Sequence, residues 1–381
     1  MTSQKIKIAF VSSHISNSLQ FVWFQEELKR KDVQHIHIII NNSKEPIVLA
    51  EDLIKLGLPT FVLSYKNSFS LVNLFFQIRK ILKSQKINVV HTTLPYGNLL
   101  GQLSAISLGI NARVTTCENA SWAYDYKSKK QWLIDKFTFL SSKKVISVAD
   151  TANDFLLNTW RIPKNKLVQI NHALILDRYT NISTQRINAI RNLLDVDENT
   201  FVIGMIARTE FWKGHEYAVQ AMATIVKKYK NIKLFICGSI GFDHQKLIDL
   251  IKQNQLQDNV KFIGFVADSI AFLKFVKIQV HVPINKYVEN CGISIIEGMA
   301  AKVPQILTLS GYAFQSANHL KNAYVVDYCN ANQIADGIEF LYLNYDKAII
   351  LGEQAFKDAE KEYTIPHKYE RHMKVYEEIL N

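Results

Sequence analysis

The stretch "FVIGMIARTEFWKGHEYAVQAMATIV", Phe201–Val226, decides the fold class. It begins with a β-branched apolar run and passes through a polar loop that ends at Gly214. It then continues with apolar residues at the three- and four-residue spacing of a helix. A strand that leads through a short loop into a helix is the first half of a βαβ unit. The stretch therefore predicts an α/β fold with parallel strands covered by helices.

The same alternation of strand and helix extends from this stretch in both directions. It continues toward the C-terminus through "IKLFICG", "VKFIG", "IQVHV", "PQILT" and "AYVVD". The first half of the chain carries its own series, from "KIKIAFVS" and "HIHIII" to "KVISV" and "LVQI". Because the pattern restarts at Phe201, we predict two doubly wound Rossmann-like domains, with the polar stretch near 180–200 as a linker.

The predicted domains are residues 1–180 and residues 181–360. A terminal helix over residues 361–381 is expected to pack back toward the N-terminal domain. In doubly wound sheets, ligands bind outside the carboxyl ends of the strands. With two such domains, we expect a ligand in the cleft between them.

The composition describes a soluble globular protein of 381 residues, with 48% hydrophobic and 21% charged residues. No window approaches the roughly 20 apolar residues that a membrane helix needs. The N-terminus is predicted to form a first strand rather than a leader peptide, so a cytoplasmic location is expected. The four cysteines have no CxxC or Cys/His spacing, which predicts neither a metal site nor a disulfide framework.

The charge is distributed unevenly along the chain. Residues 1–180 carry 23 Lys and Arg against 12 Asp and Glu, whereas residues 181–381 carry 22 of each. The excess in the first half indicates either an anionic partner (nucleic acid, membrane or phosphorylated lipid) or simple solubilisation. One basic segment, Tyr124–Lys144, mixes aromatic residues with lysines. We interpret it first as a helix whose Trp132, Phe137 and Leu140 pack inward, and second as a membrane contact.

Three loops that follow predicted strands in the second half have the composition of anion sites. Arg208 and Lys213 precede a helix, and the free N–H groups at a helix start favour negative charge. Gly238 follows the next strand, and Gly292 and Ile293 open a later helix. Because such loops converge on one edge of a parallel sheet, we expect a nucleotide diphosphate there.

Two glutamates eight positions apart complete this set of candidate site residues. Glu297 lies on the apolar face of the helix that starts near Ile293, where a carboxylate without a partner is costly. A carboxylate accepts two hydrogen bonds from neighbouring ribose hydroxyls. Glu297 is therefore a candidate for ribose binding, and Glu289, at the mouth of the same helix, for the group that the diphosphate carries.

These motifs together resemble a known family. "GMIARTEFWKGHEYAVQAM", "LFICGSIGF", "NVKFIGFV" and "IQVHVPINKYVENCGISIIEGMAAKVPQIL" are similar to the C-terminal domain of retaining GT-B glycosyltransferases of the group 1 or family 4 type. The spacing of Glu289 and Glu297 matches that family's E-x7-E motif. "INVVHTT", "ARVTTCENASW", "KVISVAD" and "INHALILDRY" resemble its weaker N-terminal signatures.

The resemblance implies a function and roles for these residues. Arg208 and Lys213 would neutralise the diphosphate of a nucleotide-sugar, in place of a metal ion. Glu297 would bind the ribose, Glu289 the donor sugar, and backbone near Val266 the base. It implies a retaining, metal-independent hexosyl- or N-acetylhexosaminyl-transferase without a cofactor. We expect a UDP-linked donor and a glycan or lipid-linked acceptor, in polysaccharide or lipopolysaccharide biosynthesis at the inner membrane face.

Several positions depart from the family pattern. Lys302 stands where a glycine is usual, and Phe314 lies near the place of an absent glutamate. Glu118 stands near the place of a histidine that reaches the donor sugar. "SHISNSLQ", Ser13–Gln20, replaces an early glycine-rich loop. Glu118, His91 and Ser13 are therefore candidates for sugar or acceptor contacts.

Other interpretations of the sequence remain open at this point. A sugar-nucleotide epimerase of similar fold is the nearest alternative enzyme, and a basic nucleic-acid- or membrane-binding protein is an alternative outside the enzymes. We favour the transferase, with no nucleic-acid partner, because the cations and carboxylates cluster in the neutral half. "DVDE", Asp195–Glu198, is interpreted as a turn rather than a metal motif. His281 is interpreted as structural, and for His91 structural and functional roles are weighed equally.

Overall fold

The computed structural model describes residues 5–14, 18–42, 47–65, 70–121 and 127–381. By contacts between residues, the chain divides into two compact units. Unit 1 comprises Met1–Ala173 and Ile365–Asn381, and unit 2 comprises Leu174–Thr364. Each unit is built on one parallel sheet, as the alternating sequence pattern predicts.

Within the described residues, unit 1 contains a seven-stranded sheet with the order β3-β2-β1-β4-β5-β6-β7. Its strands are β1 (Lys7–Ser13), β2 (Gln34–Asn41), β3 (Thr60–Ser64), β4 (Val89–Thr93), β5 (Ala112–Cys117), β6 (Lys144–Ser147) and β7 (Leu167–Gln169). The strand order reverses between β1 and β4. Ser13, the last residue of β1, therefore lies at the switch point where open α/β sheets form ligand crevices.

Helices cover both faces of this sheet. They are α1 (Leu19–Arg30), α2 (Val48–Lys55), α3 (Ser70–Ser84), α4 (Pro95–Ser107), α5 (Lys129–Ser141) and α6 (Asp150–Asn158). The alternation along β2 decides which face each residue takes. Ile38 packs with residues of α3 and α4, whereas its neighbour Ile39 packs with residues of α1 and α2. Helix α5 packs on α4 and so extends the α3 layer.

Unit 2 contains, within the described residues, a six-stranded parallel sheet with the order β10-β9-β8-β11-β12-β13. Its strands are β8 (Phe201–Ile206), β9 (Ile232–Cys237), β10 (Val260–Gly264), β11 (Ile278–His281), β12 (Gln305–Leu307) and β13 (Tyr324–Val325). The first strand is the one predicted from "FVIGMIA", and its centre is fully buried in the core of the unit.

The helices of unit 2 alternate with these strands. They are α7 (Asp177–Thr180), α8 (Thr184–Leu194), α9 (His215–Lys228), α10 (His244–Gln253), α11 (Ser269–Phe275), α12 (Ile293–Ala300), α13 (Tyr312–Ser316), α14 (Ala331–Leu343) and α15 (Tyr345–Glu362). None of the helices in the described part of the chain is long and apolar enough to cross a bilayer.

The chain enters unit 2 at Leu174, earlier than the predicted boundary at residue 180. The backbone N–H of Leu174 donates to the carbonyl of Tyr363 at 2.8 Å, which ties the two ends of the unit together. The stretch near 180–200, predicted to be a linker, instead contains α8. This helix packs on α11, buries Ile190, and pairs Arg186 with Asp268 at 2.7 Å.

The terminal helix α16 (Ile365–Leu380) belongs to unit 1, where it packs on α1 and β5. It contributes to a group of buried histidines. The rings of His37 and His91 lie 5.5 and 5.3 Å from the ring of Phe10, and His372 of α16 lies 5.7 Å from His91. Burial lowers the pKa of His37 and His372 well below the usual value, and that of His91 to about 3.

We expect unit 1 to lose stability as the pH falls below about 6.5. The pKa of His37 is lowered by folding, so below the ordinary value the unfolded chain binds a proton that the folded chain excludes. Each such histidine costs about 2 kcal/mol of unfolding free energy between pH 7 and pH 5. The variant His37→Phe should reduce the loss by about this amount in urea unfolding, followed by tryptophan fluorescence.

Fluorescence reports mainly on unit 1, because Trp212 is the one tryptophan of the sequence that belongs to unit 2. The exposed His319 provides the matched control, since His319→Phe should leave the pH dependence unchanged. An identical loss of stability in His37→Phe and wild type would exclude His37 as a contributor.

Candidate functional site

The loops at the carboxyl ends of β8, β9 and β10 are joined to one another by hydrogen bonds. The backbone N–H of Thr209 donates to Ser239 O at 3.2 Å, and the N–H of Gly241 donates to the Thr209 hydroxyl at 2.6 Å. The N–H of Gly238 donates to Gly264 O at 2.9 Å. The glycine loops therefore converge on one edge of the sheet, as their positions after parallel strands predict.

A close backbone approach fixes the position of Lys213. The turn Phe211–Lys213 ends at Gly214, which has a φ of 75°. A Cβ atom at Gly214 would collide with the carbonyl of Val282, just beyond β11. Glycine is therefore required here, both for the left-handed conformation and for the contact. It brings the loop after β8 against the loop after β11.

Lys213 forms a buried ion pair with Glu289. Their side chains are 14% and 11% exposed, and the Lys213 ammonium donates to Glu289 Oε2. The Nε2 atom of His281, the last residue of β11, lies 3.5 Å from the same oxygen. Burial by itself raises the pKa of Glu289, but Lys213 and His281 together lower it to about 2. Glu289 is therefore ionised at neutral pH and accepts hydrogen bonds.

Gly292 makes room for this cluster at the start of α12. It has a φ of 66°, and a Cβ atom there would lie 3.1 Å from Glu289 Cγ and 3.3 Å from His281 Nε2. The other ring nitrogen of His281 lies 3.2 Å from the hydroxyl of Ser294 in the first turn of α12. Ile293 is the first residue of this helix, whose first N–H groups have no partner within the helix.

Glu297 lies one turn further along α12 and is held by a tyrosine that the sequence did not indicate. The hydroxyl of Tyr179, a residue 1% exposed on α7, donates to Glu297 Oε1 at 3.0 Å. Burial raises the pKa of Glu297, and the Tyr179 hydrogen bond opposes this rise. Burial raises the pKa of the Cys237 thiol at the end of β9, the backbone of the buried Val266 opposes this rise, and the charge of Glu297 adds to it.

Arg208 is less enclosed than the other predicted site residues of unit 2. Its side chain is 61% exposed, and Nη1 lies 3.8 Å from Glu210 Oε1. Glu210 is buried, and its Oε2 has no hydrogen-bond partner within the described residues. Arg208 follows β8 directly, at the edge where the glycine loops meet, but it is not part of the Lys213–Glu289 ion pair.

The candidate residues of the first half lie in unit 1. His91 is buried, and its two ring nitrogens lie 2.7 Å from the Tyr376 hydroxyl and 2.7 Å from the Thr116 hydroxyl. These contacts favour the structural interpretation of His91. Ser13 is also buried, and residues 15–17 of the predicted acceptor loop lie outside the described residues.

Glu118 Oε2 lies 2.9 Å from His172 Nε2, which is hydrogen-bonding distance. Burial raises the pKa of Glu118, but His172, Lys368 and His91 together lower it below the usual value. His172 lies in "INHALILDRY", one of the segments that resemble the N-terminal signatures of the family. Glu118, which departs from the family pattern, therefore contacts a segment that resembles it.

Two positions that differ from the family pattern have a local explanation. Lys302 has a φ of 60° just after α12, a conformation that glycine adopts without strain. Its ammonium pairs with Glu353 at 2.8 Å. Phe314 is 38% exposed, and Lys286 Nζ lies 3.9 Å from the centre of its ring.

Sequence reasoning missed two contacts of this site and placed a third feature correctly. His281 was interpreted as structural, yet it contacts Glu289; its place at the carboxyl end of β11 was the available signal. Tyr179 lies 118 positions before Glu297, and no local pattern connects them.

Asp197 accepts a hydrogen bond from the N–H of Asn199 at 2.9 Å, so "DVDE" is a turn. Among the described residues, no three His, Cys, Asp or Glu side chains are grouped to hold a metal ion.

Comparison with known proteins gives this geometry a family context. Residues 187–358 match the family model of glycosyl transferases group 1. The capsular polysaccharide biosynthesis glycosyltransferase CapM of Staphylococcus aureus is 22% identical over 381 residues, covering 96% of this chain and 94% of CapM. The uncharacterized glycosyltransferase MJ1607 of Methanocaldococcus jannaschii is 26% identical over 63% of this chain and 61% of that protein.

A solved structure resembles the chain along nearly its whole length. The crystal structure of Alr3699/HepE of Anabaena, in complex with UDP and glucose, has a TM-score of 0.82 at 16% identity and covers 97% of this chain and 98% of that chain. At this identity the likeness shows the fold alone, which is the GT-B fold of two Rossmann-like domains. The chain is therefore similar to group 1 glycosyl transferases over residues 187–358 and has the GT-B fold along nearly its whole length.

Proposed function

We propose that the chain transfers a sugar from a nucleotide-activated donor to a glycan or lipid-linked acceptor, with retention at the anomeric carbon. The observation that carries this proposal is the buried Lys213–Glu289 pair, with Glu297 on the helix that follows Glu289 and three glycine loops at the same sheet edge. A cation, two carboxylates of different basicity and open backbone are the groups that recognise a diphosphate and sugar hydroxyls.

In the proposed reaction, negative charge grows on the leaving diphosphate as the glycosidic bond breaks. Lys213 and Arg208 would stabilise that charge, so the protein would supply the cations that a metal ion supplies elsewhere. Lys213 pairs with Glu289, and the diphosphate would share the ammonium with it. Arg208 would turn toward the donor, because its side chain is 61% exposed and its pairing with Glu210, at 3.8 Å, is loose.

The two glutamates would have different roles because their pKa values differ in direction. Glu289, with a pKa of about 2, stays ionised and would accept hydrogen bonds from hydroxyls of the donor sugar. Glu297, with a raised pKa, would accept from the ribose hydroxyls while Tyr179 holds it in place. We expect the backbone near Val266 to contact the base.

The similar proteins suggest the class of donor and product. The Anabaena protein was crystallised in complex with UDP and glucose, and the Staphylococcus relative is named for capsular polysaccharide biosynthesis. We therefore propose a UDP-linked hexose or N-acetylhexosamine as donor and a cell-surface polysaccharide or glycolipid as product, made in the cytoplasm without a metal ion.

The first test concerns donor binding by Glu297. A ligand that binds only the folded state stabilises it, by about 2.7 kcal/mol at a hundredfold excess over Kd. In a thermal-shift panel of UDP, UDP-glucose, UDP-N-acetylglucosamine and GDP-mannose, at least one nucleotide-sugar should raise the midpoint of wild type. Glu297→Ala should lose most of that shift.

Glu353→Ala is the matched control, because Glu353 is a glutamate of the same unit that pairs with Lys302 outside the loops described above. It should keep the wild-type shift. Equal shifts in wild type and Glu297→Ala would remove the proposed ribose contact.

The second test separates the stability role of Lys213 from its catalytic role. Lys213→Met leaves the buried Glu289 carboxylate with only His281 beside it, and removing one partner of a buried ion pair typically costs roughly 3–5 kcal/mol of stability. Lys213→Met/Glu289→Gln removes both charges and should recover much of this loss. Release of nucleoside diphosphate should nevertheless stay about a hundredfold or more below wild type in the double variant, since a preorganised donor is worth about 2.7 to 4 kcal/mol. Wild-type rates in the double variant would refute the role of this pair in transfer.

The third test concerns Tyr179 as a positioning residue for Glu297. Tyr179→Phe removes one hydrogen bond to the carboxylate, which should raise the donor KM by about threefold to tenfold and leave kcat nearly unchanged. Because the Tyr179 hydrogen bond lowers the pKa of Glu297, the variant should also lose donor affinity at a higher pH than wild type as the pH falls. The equally buried Tyr363 of unit 2 provides the control Tyr363→Phe. If wild type and Tyr179→Phe lost donor affinity at the same pH, the proposal would be contradicted.

A further inference from the structure

We propose that the layer of α3, α4 and α5 on unit 1 docks on a lipid bilayer rich in anionic headgroups. This surface, which we call the basic helix layer, consists of Ser70–Ser84, Pro95–Ser107 and Lys129–Ser141. The inference goes beyond sugar transfer, since a lipid contact requires neither the donor nor any residue of the unit 2 site.

The three helices form one continuous surface. Helix α3 packs on α4, and α4 packs on α5. Beneath them, Leu74, Ile78 and Leu100 join the core formed with β1 and β2. Lys130 Nζ on α5 donates to the Tyr96 hydroxyl on α4 at 3.0 Å, which connects the two helices at the surface.

The charge of this layer differs from that of the layer on the opposite face of the same sheet. Over their residue ranges, α3, α4 and α5 carry six Lys and Arg and one acidic residue, Asp135. Helices α1, α2 and α16 carry six Lys and Arg but seven Asp and Glu. The sequence between Asp52 and Glu118 contains no acidic residue at all. The positive excess of the first half is therefore concentrated on one face.

Large apolar side chains are exposed on the same layer. Their exposed fractions lie between 37% and 66%, and they are Val72, Phe76, Leu103, Ile106, Leu133 and Leu140. On α3 the spacing of Val72, Phe76, Lys80 and Lys83 puts two apolar residues and two cations on one stripe. Leu140, which the sequence pattern predicted to pack inward, is 66% exposed, whereas Trp132 and Phe137 are half-buried. Residues 124–126 of the basic segment lie outside the described residues.

This combination fits a membrane better than a nucleic acid. Lysines near an anionic bilayer gain about fivefold in affinity each, and exposed aliphatic side chains gain by entering the interface. Nucleic acids also attract lysines, but their single strands bind through aromatic side chains on which the bases stack. Five of the six exposed apolar residues are aliphatic, so they would have no partner on a nucleic acid. A single exposed apolar residue is normal on a protein surface, but six of them on one cationic layer indicate an interaction site.

Sedimentation of the full chain with lipid vesicles tests the proposal. At 150 mM salt, wild type should bind vesicles of phosphatidylglycerol and phosphatidylcholine, and should bind vesicles of phosphatidylcholine alone about tenfold or more weakly. Phe76→Ser/Lys80→Glu changes one exposed apolar residue and one cation of the layer, and should lower the affinity for anionic vesicles by about tenfold or more.

The matched control is Ile54→Ser/Lys374→Glu on the opposite face, where Ile54 is 59% exposed against 57% for Phe76. The control should bind as wild type does, and both variants should keep the wild-type unfolding midpoint and nucleotide-sugar shift. Because the nucleotide-sugar shift is measured separately from vesicle binding, a failure of the membrane proposal can be distinguished from a failure of the proposed sugar transfer. Equal vesicle binding by both variants, no binding of wild type to anionic vesicles, or retention on DNA without vesicle binding would each overturn the proposal.

Discussion

The buried ion pair of Lys213 and Glu289 is the interaction on which the candidate site depends. The two residues are separated by 76 positions and come from the loops after β8 and β11. Removing either residue would leave the charge of the other without its ion-pair partner in a place that water barely reaches. Gly214 and Gly292 serve the pair, because each adopts a left-handed conformation at a contact that a side chain would block. Backbone shape and charge therefore specify the same arrangement.

Around this pair, two carboxylates with opposite tendencies lie close together along the chain, Glu289 in the loop before α12 and Glu297 on that helix. Glu289 meets a cation and a histidine, so its pKa is lowered although it is buried. Glu297 meets a neutral tyrosine, so burial dominates and its pKa is raised. A ligand that brings phosphate to Lys213 and hydroxyls to the two glutamates would meet a charged end and a hydrogen-bonding end. The asymmetry arises from the neighbours, since the residue type is the same.

The sequence predicted those features that depend on neighbours along the chain. The pattern of Phe201–Val226 indicated a strand, a loop and a helix because alternation and helical spacing are local. The convergence of the glycine loops followed from the general rule for parallel sheets. The Tyr179–Glu297 contact could not be predicted, because it joins residues 118 positions apart. The helix α8 was mistaken for a linker, because it buries only Ile190 and Leu194 and most of its other residues are polar.

Unit 1 is discontinuous, and this affects how the chain is made. Helix α16 supplies His372, whose ring lies 4.6 Å from that of Phe24 on α1. A ribosome that has completed the strands of unit 1 must still synthesise all of Leu174–Thr364 before this helix emerges. During that interval His372 cannot pack on Phe24, so apolar surface that the complete unit buries is exposed on the nascent chain.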